Sequence, residues 1–276
     1  MIKNTITSFS KKYIEIISKN ELMALGAQVT YFMILAFFPM LIFLLTLLSY
    51  TPFANSEVLF SLSYLLPEET YLMVSKAVYE IIESRSPTLL SFGMAASLWA
   101  SLNGVNALMH GINKAYGLKE TRSYLKLKGL SILFLFFLVI SIILTLLLLV
   151  WGETLGNLLF NFLGAESIFP LLWEKLRLIF QFIVMIITFI MLNKMGTTAY
   201  LTIKEVFPGS LFSAIGWLII SHGFSIYIKN FANISIAYGS IGGIIILLLW
   251  LYWSSEILLM GCALNGTILS WKKTKP

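Results

Sequence analysis

The chain contains no aspartate, a single cysteine and two histidines, and only 12% of its 276 residues are charged, against about 25% in an ordinary soluble domain. A surface so poor in charge cannot be solvated as a globule. The lone Cys262 excludes an intrachain disulfide and any multi-cysteine metal site. No GxxxxGK[ST], HExxH or Gly-x-Ser-x-Gly string occurs, so no nucleotide-driven pump or familiar hydrolase is indicated. The first twenty residues also lack a compact apolar core with a small-residue cleavage site, because Lys3, Lys11, Lys12, Glu15 and Lys19 interrupt them. The first apolar span is therefore expected to serve as the targeting signal.

What the chain has instead is hydrocarbon, with 58% of its residues hydrophobic. The uncharged stretches 22–56, 86–113, 129–152, 206–228 and 230–255 each reach the roughly 20 residues that cross a bilayer core. A sixth, 178–193 between Arg177 and Lys194, is short. Snorkelling of those basic chains and the apolar Leu172, Trp173 and Leu176 extend it to a span. The expectation is an all-α polytopic membrane protein forming one transmembrane domain over 1–276, with spans near 27–50, 88–113, 129–151, 176–192, 209–228 and 239–264.

Charge orients these spans. With the N-terminus in the cytoplasm, 14 of the 19 basic residues fall inside, and Lys76, Arg85, Lys175, Arg177 and Lys229 fall outside. An excess of Lys and Arg in short cytoplasmic loops sets that orientation. Of the acids only Glu15, Glu21, Glu120 and Glu205 lie inside. Both ends are thus expected in the cytoplasm of a bacterial inner membrane, with a basic face against anionic lipid headgroups.

Around the spans, residues 2–20 place Ile2, Ile6, Phe9, Tyr13, Ile16 and Ile17 at helical spacing, with Lys12, Glu15 and Lys19 on another side. This reads as an interfacial amphipathic helix, a lipid sensor or an anchor for the first span. Outside, Pro67-Glu68-Glu69 opens a short amphipathic helix, a lid or a prop. Pro39 removes a backbone donor inside the first span and should kink it. Gly239, Gly242 and Gly243 stand where the sixth span would approach a neighbour closely.

Two features carry chemistry. In the second span Trp99, Asn103, Asn106, His110 and Asn113 fall within about a quarter turn, and such side chains in hydrocarbon turn to the bundle interior or a wet cavity. They mark either a polar path or a hydrogen-bonded helix interface. Spans three and four, whose polar groups are Ser131, Ser141, Thr145, Gln181 and Thr188, read as peripheral. The sixth span holds Glu256, and an acid there costs about 2.5–3.5 kcal/mol on insertion scales. It suits a proton relay or cation site, or else a structural hydrogen bond.

Three strings resemble one family. SLWASLNGVNALMHGINKAYG at 97–117, the Pro-Gly start, Tyr-Gly-Ser-Ile-Gly turn and Leu-Leu-Trp-Leu-Tyr run within 208–266, and AFFPMLIFLL at 36–45 are similar to the YihY/BrkB family of bacterial inner-membrane proteins. The resemblance implies six helices with cytoplasmic ends and brings ribonuclease and virulence labels, but no agreed catalytic motif. Where the family resembles Gly-Ala-Glu-Leu-Asn, this chain reads Gly261-Cys262-Ala263-Leu264-Asn265. The acid missing at Ala263 has a counterpart two turns earlier in Glu256.

Metal-assisted phosphodiester cleavage wants clustered carboxylates or His, and four scattered cytoplasmic Glu do not provide them. The expected function is transport of an ion, small solute or lipid along Asn103, Asn106, His110, Asn113 and Glu256. The alternative is a membrane scaffold or envelope-integrity factor. No enzyme activity, cofactor, metal or nucleic-acid partner is expected.

Overall fold

The computed structural model describes residues 2–50, 86–162, 169–230 and 240–274. Its elements are α1 (Ile2–Lys19), α2 (Leu22–Ser49), α3 (Pro87–Ala115), α4 (Tyr124–Phe162), α5 (Phe169–Gly196), α6 (Ile203–Asn230) and α7 (Ser240–Thr274). The outer helix expected at Pro67-Glu68-Glu69 and the packing role of Gly239 lie outside the described residues. Five helices carry stretches long and apolar enough to cross a bilayer, in α2, α4, α5, α6 and α7. At 29 residues α3 has the length, but its amides and serines keep it out of that set. The short fourth span lies within an uninterrupted 28-residue helix.

The chain divides into two units, Met1–Thr30 with Val105–Pro276, and Tyr31–Gly104. In the second, α2 runs through Pro39. A Cβ on Gly93 would stand 3.0 Å from the Pro39 carbonyl oxygen and 2.9 Å from the Phe43 nitrogen. Glycine is what lets α3 lie against the backbone at that proline.

In the first unit local signals set the helix ends. Glu21, at a positive φ of 52°, makes the elbow between α1 and α2. Gly117, at φ 71°, ends α3: its amide bonds the Lys114 carbonyl while Leu118 bonds that of Asn113, the left-handed cap that glycine favours. Thr202-Ile203-Lys204-Glu205 opens α6 with the carboxylate half of a capping box. The Glu205 carboxylate takes both the amide and the hydroxyl of Thr202 at 2.8 Å, and it satisfies donors that a helix start leaves free.

Helices α6 and α7 pack through glycine. A Cβ on Gly209 would run into the Gly261 carbonyl, and one on Gly261 into Ser213 Oγ and the Gly209 carbonyl. Gly266 lies in the same way against Ala115, and Gly111 against Leu259. Close approach was expected at the other end of α7, at Gly242 and Gly243. Gly242 is buried, but a Cβ on Gly243 would meet nothing within 4 Å. The tight contacts follow the small residues that face a partner helix, and Gly243 faces none among the described residues.

Candidate functional site

One end of the first unit is held by side chains that seal its loops. Asn265 of α7 accepts from the Gly209 amide (2.7 Å) and donates to the Val206 carbonyl (2.9 Å) and to Tyr116 Oη (3.1 Å). Tyr116 in turn donates to Asn193 Oδ1 at 2.7 Å. Burial raises the Tyr116 phenol well above its ordinary range, so it remains a donor. Asn113 spans from α3 to the α5–α6 turn, donating to Gly196 O (3.2 Å) and Glu120 Oε2 (2.8 Å) and accepting from the Thr198 amide (2.8 Å). Arg122 pairs with Glu120 at 2.6 Å and donates to the carbonyls of Met195 and Gly196, the free acceptors at the end of α5. Those Arg122 hydrogen bonds hold the Glu120 carboxyl below the usual carboxylate range.

The second-span stripe is therefore divided. Asn113 is buried and spent on the loops. Asn106 is half-buried and accepts from Ser131 of α4, so it faces span three rather than spans one, five or six. Asn103 is half-buried, and His110 and Trp99 are exposed. The buried face of α3 is the one offset by a residue, through Gly104, Ala107, Leu108, Gly111, Ile112 and Ala115. Small side chains, not amides, decide which face goes inward. No hydrogen bond joins Glu256 to Asn106, His110 or Asn113.

Glu256 stands apart from that network. It is 1% exposed, and neither carboxyl oxygen has a hydrogen-bond partner among the described residues. Its carboxyl lies against the backbone of α2 where Gly26 leaves space, since a Cβ on Gly26 would fall onto it. Leu22 and Val29, on that face of α2, are fully buried, as are Leu259 and Ala263 beside Glu256 on α7. Hydroxyls on the same two helices bond elsewhere: Thr30 donates to the Gly26 carbonyl at 2.9 Å and meets Ser255 Oγ at 3.5 Å. One turn further along α7, Tyr13 of α1 donates to the Met260 carbonyl at 3.1 Å, and burial pushes its phenol up to about 12. Phe9 packs edge-on against Trp271 at 5.8 Å, with Lys12 over the same ring. The amphipathic helix thus lies along α7 beside the carboxyl.

A bare carboxylate in that seam would be an unpaired buried charge, with a penalty of several kcal/mol. A proton on one oxygen removes it. Among the described residues no three His, Cys, Asp or Glu side chains gather as metal ligands. Sequence reasoning found Glu256 by the rarity of an acid in hydrocarbon. It missed Gly26, Tyr116, Asn193 and the Glu120–Arg122 pair. The Thr-x-x-Glu string and the spacing of Gly209 and Ser213 were legible signals of where α6 starts and what it packs on.

These long apolar helices define a multi-pass helical membrane protein. The chain belongs to the family described as virulence factor BrkB, whose pattern matches residues 14–275. It is 36% identical over 266 residues to a Bacillus subtilis (strain 168) protein called ribonuclease-like protein YfkH, covering 96% of this chain and 97% of that one. A UPF0761 membrane protein of Tolumonas auensis is 22% identical over 92% of this chain and 82% of its own. One of Pseudoalteromonas translucida is 34% identical over 29% of this chain and 27% of its own. No solved structure matches.

Proposed function

We propose that this chain is a transporter of the bacterial inner membrane in which Glu256 gains and loses a proton as cargo, an ion, small solute or lipid, moves past the seam of α2 and α7. The carrying observation is a carboxyl buried to 1% exposure, with neither oxygen partnered among the described residues, on a helix long and apolar enough to cross a membrane. A leucine in such a position would add stability, and an ionisable side chain inside a membrane span reads by default as functional. Asn106 and Asn113 then hold helices together and do not line the route.

The sealed end holding Lys114, Lys119, Arg122, Lys194 and Lys204 is the cytoplasmic one on this reading, and both termini lie there with α1. Its basic residues meet anionic lipid. Transport rather than phosphodiester cleavage fits the acids at that end, because Glu120 is bound by Arg122 and Glu205 caps α6.

The test is reconstitution of wild type and Glu256→Gln in phosphatidylethanolamine and phosphatidylglycerol vesicles, with an imposed pH gradient and a panel of ions, amino acids and fluorescent phospholipids. One class should move with the gradient in wild type and stop in the variant. Movement of no class by either protein would favour the scaffold reading, for which the fully bonded Asn113 and Asn265 speak, and equal movement by both would take Glu256 out of the mechanism.

A further inference from the structure

We propose that a second site, a cleft between α4, α5 and α6, holds the hydrocarbon chain of a membrane lipid whose ester carbonyl or hydroxyl accepts from the amide of Gln181. The cleft has a volume of about 930 Å³, within the range of about 300–1,000 Å³ typical of ligand sites. Its walls are apolar except for Ser141, Thr145, Gln181 and Thr188. These are the polar residues that the apolar runs of α4 and α5 carry beyond Ser131, and all four line this one cleft although the two helices read as plain lipid-facing spans.

Three of them have their donors committed: Ser141 bonds the Phe137 carbonyl, Thr145 that of Ser141 and Thr188 that of Val184, at 2.8–2.9 Å. Hydroxyls bonded back to their own helix are harmless in hydrocarbon and by themselves would mean little. Gln181 is different. Its side chain offers two donors and an acceptor, is half-buried on the cleft wall, and bonds no described residue. An amide left so costs a few kcal/mol in an apolar setting, and a ligand group would satisfy it.

Position selects the ligand. Gln181 lies four residues, about 6 Å at 1.5 Å per residue, from Arg177 at the outer end of the span read at 176–192, which puts its amide near the edge of the hydrocarbon core, where the ester carbonyls of a lipid lie. Ile142 and Leu178, at the mouth, are each 59% exposed, so the cleft opens sideways into lipid. What enters must already be dissolved in the membrane. This site stands whether or not Glu256 couples transport.

The test uses the full chain in nanodiscs of phosphatidylethanolamine and phosphatidylglycerol, with a trace of phosphatidylglycerol bearing a photoactivatable diazirine on its acyl chain. Adducts are mapped by mass spectrometry. They should concentrate several-fold on 141–145 and 181–188 over the comparably exposed Ile132, Leu133 and Ile219. Ser141→Trp, which fills the cleft, should bring them down to the surrounding level. Gln181→Leu, which keeps the volume and removes an amide from hydrocarbon, should fold at least as well and lose the preference, so it decides the matter if the tryptophan variant misfolds. Even labelling over all exposed spans, labelling unchanged in Gln181→Leu, or cross-links to a second copy through the cleft would overturn the proposal.

Discussion

Gly26 and Glu256 make one unit out of two residues that are 230 positions apart, and the unit depends on an absent methyl group. Gly26→Ala should destabilise the protein by about 1–3 kcal/mol, as overpacking does in a filled interior. In Gly26→Ala/Glu256→Ala the clash is gone, so thermal unfolding in detergent should show a coupling of about 0.5–3 kcal/mol between the sites. Independent, additive losses would mean that the carboxyl does not rest on Gly26. Asn265 makes a parallel case. Asn265→Ala takes the side-chain acceptor from the Gly209 amide and one donor each from Tyr116 Oη and the Val206 carbonyl, a loss of about 1–3 kcal/mol for a buried group left without its partner, and the same scan should show it among the larger single-residue losses. The sequence flagged Glu256 because an acid in an apolar run is conspicuous by itself. It could not flag Gly26, one of 18 glycines, because what makes that glycine necessary is a side chain on another helix.

Between elements, the staple from the α3–α4 link onto the end of α5 carries a pH dependence whose sign is determined. Glu120 has its carboxyl held below the ordinary range by Arg122. Its contribution is therefore present above the unfolded carboxylate range, about 4.3, and is lost as pH falls through the lower folded value. Wild type should lose thermal stability on acidification below that range, and Glu120→Gln should lose less; identical acid profiles would show that the pair contributes nothing. Helix existence and the overall class were legible, because uncharged runs of membrane length admit few alternatives. Helix faces were less so. The stripe of α3 has helical periodicity, yet the packed face is the neighbouring one with Gly104, Ala107, Gly111 and Ala115, since backbone approach outweighs side-chain polarity where every neighbour is apolar. The glycines of α7 show the same limit, with Gly261 and Gly266 in tight contact and Gly243 in none.

For the molecule as a whole, the ends of α3, α5 and α7 and the starts of α4 and α6 are tied at one end by Asn113, Tyr116, Arg122, Asn193 and Asn265, and that end carries the basic loops. Reporter fusions after Lys128 and after Thr202 should accordingly behave as cytoplasmic, and those near Glu69 and Glu166 as external; an external result at Lys128 would reverse the orientation proposed for the chain. On the reading proposed for the chain, Glu256, one turn along α7 from the point where Tyr13 of α1 reaches the Met260 carbonyl, is the place where charge enters and leaves. The most direct test is infrared spectroscopy of the reconstituted protein in water and in deuterium oxide. Wild type should show the carbonyl stretch of a protonated carboxylic acid free of hydrogen bonds, shifting on deuteration and missing from Glu256→Gln. The same spectrum in wild type and variant, or a Glu256 band that never exchanges with deuterium, would contradict a proton that comes and goes at this residue.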